Sequence, residues 1–393
     1  MKIVIATDVY FPIIGGIQVV IKRLSQELSK KGHEVFIIAP SPTSRTYKEL
    51  EGKVTVYRIG SITLRKFTTF RIPRHLDAVK KIITDINPDI IHIMTPGSVA
   101  DTAIHIAKKN KIPLIGTGHV IAENILILFH LPKYIETMAG FLIMKQIIHT
   151  YQRLDLLTVP SPAAGKLYKK YGLKIPIHVI SNGLYLQDFG KVTEKDREKM
   201  MKKYNLSDKP IVIYVGRLDK EKRVDVLVKA VGLLKDEDFQ LIIAGKGAEK
   251  EKIHRLVKKL GIKDKVVFLG YLPDGELPIL YSLATAYVMP SDAELQSIST
   301  MEAMASGLPV IGANAIALPN LIKNGVNGFL FKPRNSEDLS KKLRTVLNDK
   351  DMRKRMAKES LQLIKEHDMP NVIAKMEQTY ETIISKYPPR HRE

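Results

Sequence analysis

The sequence predicts an α/β protein made of two doubly wound parallel sheets, one after the other along the chain. Short apolar runs alternate with longer amphipathic stretches, which is the pattern of β-α-β units. The apolar runs show little period-two alternation, as expected for strands that helices cover on both faces. The pattern stops at a polar segment, 186–208, and restarts at IVIYV (211–215), so the 393 residues divide into two similar parts.

The first part, residues 1–185, is predicted to form one Rossmann-like domain. Its first strand is KIVIA (2–6), and a helix over 17–31 follows, because apolar residues recur there at helical spacing and Gly32 ends the pattern. We expect the later strands to join the first in a parallel sheet. They are predicted at VFIIA (35–39), DIIHI (89–93), PLIG (113–116) and LLTVP (156–160).

The second domain is predicted over residues 209–369, with 186–208 as the linker. A helix near 224–235 follows its first strand, 211–215. Its later strands are predicted at QLIIAG (240–245), VVFLG (266–270), AYVMP (286–290) and PVIG (309–312). A last helix is predicted at about 370–386, and the segment 370–393 is expected to pack back on the first domain. Two such domains leave a cleft, and ligands of such sheets bind at the carboxyl ends of the strands.

The composition describes a basic globular protein without cysteine. The chain has 62 Lys and Arg against 41 Asp and Glu, a net charge of +21, and its 45% of hydrophobic residues excludes a disordered chain. Residues 1–186 carry +13 of this charge and the remainder +8. Such a balance attracts phosphates on nucleic acid, an anionic membrane or a small molecule, and it also suits plain solubility. Without cysteine there is no disulfide, thiol nucleophile or thiolate metal site.

The sequence indicates neither secretion nor membrane insertion. No apolar run reaches the ~18 residues of a membrane-spanning helix. The start MKIVIATDVYF is too short for a signal peptide and is interrupted by Asp8, so we expect a cytoplasmic protein. The cysteine-free, lysine-rich composition is also compatible with a thermophile.

The sequence lacks the strongest motifs for nucleotide phosphates and metals. There is no GxxxxGK[ST] and no group of His, Asp and Glu at zinc spacing, so neither a P-loop nor a metal site is expected. The GKG at 245–247 lacks the third glycine of GxGxxG, and we interpret it as a tight turn. The DED at 236–238 lies on the amino side of a strand, the wrong end for a ligand, and we interpret it as a solvated loop.

The most informative segment is 286–331, in which a strand, a polar loop and a helix follow one another. The helix is expected to begin near Ser299, because Ser299 and Glu302 form an S-x-x-E capping box. The backbone amides of 298–300 would then point out of a helix start, which suits an anion. Glu294 and Glu302 suit sugar hydroxyls on either side of a diphosphate; the alternative is that Glu302 only caps and Glu294 is a loop carboxylate.

Two further segments at the carboxyl ends of predicted strands fit the same kind of ligand. Arg217 and Lys222 follow the strand at 211–215, and both could reach one diphosphate. Gly15 and Gly16 follow the first strand and would let a ligand approach the backbone closely. Each segment alone also fits a simpler interpretation, a surface loop for the basic pair and a plain turn for the glycines.

Taken together, these residues resemble the retaining glycosyltransferases of family 4, which have the GT-B fold, and the likeness covers almost the whole chain. The E-x7-E pair is the hallmark of that family, and Glu294 and Glu302 match it. The resemblance implies that Glu294 holds hydroxyls of the transferred sugar and Glu302 the ribose of the nucleotide. It also assigns Arg217 and Lys222 to the donor diphosphate.

The resemblance extends to three other places in the chain. It implies that Gly15 and Gly16 form the family's N-terminal Gly-Gly loop and that His119 faces the donor sugar across the cleft. Leu272 lies where such enzymes contact the nucleotide base. The predicted catalytic residues are His119, Glu294, Arg217 and Lys222. The predicted donor-binding residues are Gly15, Gly16, Arg217, Lys222, Leu272, Glu294, Gln296, Ser297, Ile298, Ser299 and Glu302.

The chain departs from the family pattern at three positions. Arg223 stands where the glycine after the basic lysine is usual, Tyr185 replaces the aspartate of the linker motif, and Ser297 replaces a glycine of the site loop. The glutamine at position 296 resembles the residue found there in the lipid-glycosylating branch of the family. The sequence leaves open whether the donor carries UDP or GDP, and glucose or mannose.

The resemblance implies transfer of a hexose from a nucleotide-diphosphate sugar without a metal or other cofactor. Cationic side chains and helix amides stabilise the leaving diphosphate. The acceptor hydroxyl attacks the face that the nucleotide leaves, and a phosphate oxygen takes its proton. A GT-B nucleotide-sugar epimerase is the closer rival function, but the sequence offers no acid/base pair for it.

The acceptor is predicted to be a membrane lipid that meets the first domain. Residues 121–150 are unusually apolar, and the loop 62–75 alternates basic residues with aromatic ones. Those residues are Arg65, Lys66, Arg71, Arg74 and His75 with Phe67 and Phe70. This pattern suits an anionic membrane, at about 1 kcal/mol per basic residue near it. The alternatives are a buried helix pair, a solvated loop and a soluble acceptor.

The predicted partners follow from this assignment. We expect a nucleotide-sugar donor, a lipid acceptor and the anionic inner face of the cell membrane, to which the protein would be peripheral. A nucleic-acid-binding module would leave the two α/β domains and the E-x7-E pair unexplained, so no nucleic-acid partner is expected. The sequence does not indicate the oligomeric state.

Overall fold

The structure is a computed structural model that describes residues 1–13, 15–64, 67–122, 126 and 133–388. Within them the chain forms two compact units. The first unit contains Met1–Asn182 and the C-terminal segment from Pro370, and the second contains Gly183–Met369.

The first unit contains an eight-stranded main sheet, a separate two-stranded sheet of β5 and β6, and helices between the strands. Its strands are β1 (Lys2–Ala6), β2 (Glu34–Pro40), β3 (Tyr47–Glu51), β4 (Val54–Ile59), β5 (Ser61–Leu64), β6 (Phe67–Pro73), β7 (Ile90–Ile93), β8 (Leu114–Thr117), β9 (Leu156–Val159) and β10 (Ile177–Val179). Its helices are α1 (Gly16–Lys30), α2 (Leu76–Ile86), α3 (Ser98–Lys109), α4 (Lys133–Tyr151) and α5 (Pro162–Lys170). The main sheet has the order β10-β9-β8-β7-β1-β2-β4-β3, and β3 is antiparallel to β4.

The second unit is a six-stranded parallel sheet with the order β13-β12-β11-β14-β15-β16. Its strands are β11 (Ile211–Val215), β12 (Gln240–Ala244), β13 (Val266–Gly270), β14 (Ala286–Met289), β15 (Val310–Ala313) and β16 (Gly328–Phe331). Its helices are α6 (Glu194–Tyr204), α7 (Val224–Gly232), α8 (Lys250–Lys259), α9 (Leu277–Leu283), α10 (Ile298–Ala305), α11 (Leu318–Leu321), α12 (Ser336–Asn348) and α13 (Lys350–Leu363). Short 3-10 turns lie at Leu186–Asp188, Lys220–Lys222, Lys263–Lys265, Asp274–Glu276 and Ile364–His367.

The strand order creates one topological switch point in each sheet. In the first sheet β1 lies between β2 and β7, and in the second β11 lies between β12 and β14. The connections from such neighbouring strands leave the sheet in opposite directions, so a crevice opens beside their carboxyl ends. The central strands are apolar and fully buried because helices cover both faces, and this holds the loops after them in place.

The segment 186–208, which the sequence analysis assigns to a linker, belongs to the second unit. It contains the turn Leu186–Asp188 and helix α6. At the end of α6 the Tyr204 hydroxyl and the Lys203 ammonium donate to the Glu276 carboxylate at 2.8 and 2.6 Å. Polar residues therefore form a packed helix here, which their hydrophilicity alone did not indicate.

The C-terminal helix α14 (Met369–Ile384) lies in the first unit from Pro370 onward. Its side chains bond to groups of that unit. The Glu377 carboxylate accepts from the His33 imidazole at 2.9 Å, and the Tyr380 hydroxyl lies 2.8 Å from His92 Nδ1. The first unit is therefore discontinuous in sequence.

The region 62–75 differs from its predicted form. Most of its described residues belong to β5 and β6, which pair with each other antiparallel, and not to a loop. Arg71 of β6 donates to the Pro42 carbonyl at 2.7 Å, so the fold uses a cation that the sequence assigned to a lipid surface. Arg74 is exposed, whereas Arg65 and Lys66 and the side chains of Phe67 and Phe70 lie outside what the structure describes. Among the described residues, no helix combines the length and apolarity needed to cross a membrane.

Candidate active site

The second unit brings Lys222 and Glu294 together at its switch point. Lys222 ends the loop after β11, and Glu294 lies in the loop after the neighbouring strand β14. The Lys222 Nζ atom donates to Glu294 Oε1 at 2.6 Å. Only 17% of the lysine side chain and 8% of the glutamate side chain are exposed. Two predicted site residues, 72 positions apart in sequence, thus form one largely desolvated ion pair.

Arg217 lies at the same sheet edge and is held by two carboxylates. Its guanidinium donates to Asp219 Oδ2 at 2.5 Å and to Glu221 Oε1 at 2.7 Å, and about half of the side chain stays exposed. Burial raises the pKa of Glu221, whereas the nearby Arg217 acts in the opposite direction. The pair of carboxylates fixes the guanidinium and leaves its outer face open to solvent.

The GKG turn at 245–247 packs backbone against backbone beside these loops. A Cβ on Gly245 would meet the Gly216 carbonyl, and one on Gly247 would meet the Leu218 backbone. The Leu218 amide donates to the Lys246 carbonyl at 2.9 Å. Gly245 and Gly247 therefore allow the close approach of two loops, and the tight turn stays a prediction.

Helix α10 begins at Ile298, and its N-cap lies two residues before the predicted one. Its N-cap is Ser297, whose hydroxyl accepts from the Thr300 amide at 3.3 Å. The predicted capping box of Ser299 and Glu302 is wrong, because Ser299 already lies inside the helix and its hydroxyl accepts from Tyr287 at 2.7 Å. The amides of Ile298 and Ser299 remain at the helix start, where the helix dipole favours an anion.

Glu302 is a buried acceptor rather than a cap. Its Oε2 atom accepts from the Tyr281 hydroxyl at 2.9 Å, and 8% of the residue is exposed. Burial raises the pKa of the Tyr281 and Tyr287 hydroxyls, so both remain protonated donors at neutral pH. Two tyrosines that the sequence analysis did not select therefore hold Glu302 and Ser299. Their only sequence signal was an aromatic residue within otherwise aliphatic runs.

Arg223, which replaces a usual glycine, has a left-handed backbone with φ of 52°. A side chain is strained in this region, which explains why glycine suits the position. The Arg223 guanidinium donates to Asp292 Oδ2 at 3.1 Å, and Arg334 donates to the same oxygen at 2.6 Å. A second ion pair therefore joins the loops that Lys222 and Glu294 join.

Two further predicted donor residues of this unit lie in loops that follow its strands. Gln296 precedes the Ser297 cap, and Leu272 is buried after β13. The DED at 236–238 lies before β12, with Asp238 exposed and 2.7 Å from Lys209, as expected for a solvated loop. Nowhere in the described part of the chain do three His, Asp or Glu side chains group together as metal ligands.

The first unit presents its own switch-point loop after β1. The Asp8 carboxylate accepts from the Val99 and Ala100 amides at 3.0 and 3.1 Å, and so caps the start of α3. Burial raises the pKa of Asp8 to about 6, although the two amides favour the charged form. Gly15 and Gly16, the predicted Gly-Gly loop, lie at the start of α1 as its N-cap and first residue.

His119 follows β8 in the same unit. Its Nε2 atom is buried and finds no hydrogen-bond partner among the described residues. Burial lowers the pKa of His119 to about 4, so the imidazole is neutral at pH 7. A ring nitrogen of a neutral imidazole that has no partner can form a hydrogen bond with a sugar hydroxyl.

The buried His92 predicts how stability depends on pH. Burial, with a smaller effect of His119, lowers its pKa from 6.5 to about 3, so the folded state binds fewer protons than the unfolded state below pH 6.5. The stability that His92 contributes is present above pH 6.5 and is lost as the pH falls toward the folded pKa. Between pH 7 and pH 5 this residue should lower the free energy of unfolding by about 2 kcal/mol. In urea titrations at both pH values, His92→Gln should lose about 2 kcal/mol less than the natural protein; equal losses would contradict the assignment.

The comparisons with known proteins decide the family. The family model described as "Glycosyltransferase Family 4" matches residues 14–188, and the one described as "Glycosyl transferases group 1" matches residues 196–362. The chain is 30% identical over 346 residues to alpha-monoglucosyldiacylglycerol synthase from Streptococcus pneumoniae, which covers 84% of this chain and 75% of the relative. The chain belongs to the family 4 glycosyltransferases.

This glycosyltransferase is also similar to a mannosyltransferase and, in fold, to a solved structure. It is 27% identical over 335 residues to a GDP-mannose-dependent alpha-mannosyltransferase from Corynebacterium glutamicum, covering 84% of this chain and 76% of the relative. Anabaena HepE, solved in complex with UDP-glucose, matches with a TM-score of 0.79 at 18% identity, over 97% of this chain and 100% of that one. The structural likeness shows the GT-B fold, and together these findings confirm the predicted fold class and the assignment to a sugar-transferring enzyme.

Proposed function

We propose that this glycosyltransferase moves a glucose- or mannose-type hexose from a nucleoside diphosphate sugar to a hydroxyl of a membrane lipid, with retention at the anomeric carbon. The binding of a nucleoside diphosphate sugar is supported by the Lys222–Glu294 ion pair at the switch point, which is 2.6 Å long and largely desolvated. A lipid acceptor is supported by a relative that shares 30% identity over most of this chain and is named as a synthase of a glycosylated diacylglycerol.

Departure of the nucleoside diphosphate is the step that needs charge stabilisation. We assign this task to Lys222 and Arg217, because a developing phosphate charge is best stabilised by cations that are already in place and partly dehydrated. The amides at the start of α10 add the positive end of a helix dipole. When the donor enters, its diphosphate competes with Glu294 for the Lys222 ammonium and frees that carboxylate for the sugar.

Recognition of the sugar and nucleotide is assigned to the carboxylates and to His119. Glu294 accepts from hydroxyls of the transferred sugar, and Glu302, held by Tyr281, accepts from the ribose. His119 offers a neutral imidazole to the sugar, and Gly15 and Gly16 allow close approach of the donor to the backbone. The acceptor hydroxyl attacks from the face that the diphosphate leaves, and a phosphate oxygen receives its proton, so no protein base is needed.

The lipid surface is assigned to one face of helix α4. Tyr134, Met138, Phe141 and Leu142 are 75, 64, 52 and 61% exposed and follow one another at helical spacing. Phe141 lies 6.5 Å from the Tyr171 ring, measured between centroids, and the Lys145 ammonium lies 5.4 Å from the Phe141 centroid. The apolar strip thus adjoins the end of α5.

The charge of this part of the chain supports an anionic membrane as the partner of the strip. Between residues 133 and 182 the sequence holds two acidic residues, Glu136 and Asp155, against seven basic ones. The basic residues are Lys133, Lys145, Arg153, Lys166, Lys169, Lys170 and Lys174. An exposed apolar face next to lysines suits insertion beside anionic headgroups, where each cation contributes about 1 kcal/mol. We therefore place the enzyme at the membrane surface as a peripheral protein.

A product assay tests the reaction itself. The purified protein would be incubated with UDP-glucose or GDP-mannose and with vesicles of phosphatidylglycerol that contain diacylglycerol. We expect one donor to give a glycolipid by mass spectrometry, with an α-anomeric proton by NMR. A β-linked product would contradict retention, and efficient glycosylation of a soluble sugar without any lipid product would contradict the acceptor assignment.

A charge placed in the apolar strip should remove membrane binding. We expect Met138→Glu/Leu142→Glu to lower co-sedimentation with phosphatidylglycerol vesicles at least tenfold, because two carboxylates would have to enter an anionic interface. Leu233→Glu is the matched control, since Leu233 is 53% exposed in the second unit. Equal binding by both variants would show that this strip is not the docking face.

A further inference from the structure

A chain of buried hydrogen bonds runs from the C-terminal helix to the strand that carries His119. The Tyr380 hydroxyl lies 2.8 Å from His92 Nδ1, and His92 Nε2 lies 2.6 Å from Thr117 Oγ1. Thr117 Oγ1 lies 2.6 Å from Thr158 Oγ1, which donates to the Gly116 carbonyl at 3.1 Å. His92, Thr158 and Tyr380 are fully buried, so each of these polar atoms depends on the chain for its partner.

The direction of every bond in this chain follows from its last member. Thr158 has one proton and gives it to the Gly116 carbonyl, which can only accept, so Thr117 must donate to Thr158. Thr117 then accepts from His92 Nε2–H, which leaves Nδ1 unprotonated to accept from Tyr380. Tyr380 therefore donates to the neutral tautomer of His92 that carries its proton on Nε2, and the lowered pKa of that imidazole agrees with a ring that stays neutral.

The chain ends on the residues that lead directly into His119. Gly116 and Thr117 are the last residues of β8, and only Gly118 separates them from the histidine. The Gly118 amide donates to the Thr158 carbonyl at 2.8 Å, and a Cβ at Gly118 would meet the Tyr168 ring. The backbone before His119 is thus held by contacts on two sides. The hydrogen bonds from Tyr380 through His92 and Thr117 hold it on the side of α14.

We propose that Tyr380, acting through His92 and Thr117, is a positioning residue that orients His119 toward the donor sugar. The inference rests on the proposed function, because it takes His119 to contact that sugar. A donor bound with its diphosphate on Lys222 keeps its affinity when His119 shifts slightly, but the sugar loses a hydrogen bond that stabilises the transition state. Loss of the Tyr380 hydroxyl should therefore lower kcat and leave KM for the donor unchanged.

The test compares the loss of single hydroxyls within the same unit. We expect Tyr380→Phe to lower kcat about tenfold with an unchanged KM for the donor that the product assay identifies. Tyr387→Phe is the matched control, because its hydroxyl donates to Asp155 at 2.7 Å and has no part in the chain. Thr117→Val should repeat the loss, and Thr117→Ser, which keeps a hydroxyl, should restore turnover. Urea titrations would show that each variant is folded under assay conditions.

The outcomes separate this inference from the role of His119 itself. Near-normal turnover of His119→Ala would contradict the proposed function of that residue. An inactive His119→Ala beside a normal Tyr380→Phe, or equal losses in Tyr380→Phe and Tyr387→Phe, would overturn the positioning role. If Tyr380→Phe does not fold, the comparison of Thr117→Val with Thr117→Ser tests the proposal instead. Equal activity of these two variants would overturn the positioning role. NMR of the ring nitrogens should show His92 protonated at Nε2 alone in the natural protein; the other tautomer would refute the deduced bond directions.

Discussion

Replacing Lys222 by alanine is expected to lower kcat for sugar transfer by about 10²–10³-fold, the usual cost of removing one preorganised group that stabilises charge in a transition state. The ammonium is 2.6 Å from Glu294 and only 17% of the lysine side chain is exposed, so the cation is held in place and partly dehydrated before the donor binds. Steady-state kinetics with the identified donor would measure the loss. Near-normal turnover would contradict the assignment of Lys222 to the diphosphate.

Two further variants separate chemistry from folding in this experiment. Lys222→Ala leaves Glu294 buried without its cation, which costs on the order of 3 kcal/mol of stability. Lys222→Ala/Glu294→Ala removes both charges, so it should regain much of that stability and remain inactive. Lys220→Ala is the matched control, because Lys220 is an exposed lysine of the same 3-10 turn and should retain activity.

Replacing Gly245 by alanine is expected to destabilise the second unit by roughly 4 kcal/mol or more, among the largest effects of a single substitution. A Cβ at this position would meet the Gly216 carbonyl, and its φ of 146° is a conformation that residues with side chains rarely adopt. The steric clash with the Gly216 carbonyl could be relieved only if the loop that carries Arg217 moved away from the loop at 245–247. The backbone, rather than any lost contact, is the cause.

Chemical denaturation of the matched variants would measure this effect. Gly275→Ala is the control, because a Cβ there meets nothing within 4 Å, and it should change stability by less than about 1 kcal/mol. A Gly245→Ala protein that unfolds at the same urea concentration as the natural protein would show that the loop contact does not constrain this residue.

The sequence predicts those elements well whose signal is local. The strand at 211–215 has the predicted bounds because an uninterrupted apolar run can only be buried on both faces. The strand YKELE at 47–51 was not predicted, because its exposed, charged residues carry no burial signal and its order comes from pairing with β4. The strands β5 and β6 were missed for a related reason, since the sequence between them contains no Asn-Gly or Asp-Gly, the usual signal of two paired strands.

The candidate site shows the same division between local and long-range signals. The motif at Glu294 and Glu302 located the loop after β14 correctly, but its partners lie far away in sequence. Spacing alone suggested that Glu302 caps with Ser299, whereas Tyr281, 21 positions earlier, holds its carboxylate. Ser297 and Ser299 are equally good caps by composition, and only the backbone conformation of Ser297 distinguishes them. No short-range pattern encodes the Arg223–Asp292 pair.

The discontinuity of the first unit has a consequence for synthesis on the ribosome. The strands of that unit emerge within the first 182 residues, but α14 follows only after the second unit has been made. At roughly 5–20 residues per second, the delay is about 10–40 s. During that time His92 Nδ1 lacks the Tyr380 hydroxyl and Glu377 is absent from His33, so the nascent first unit is without these contacts. Translation that stops before α14 therefore leaves a chain that can complete its second unit but not its first.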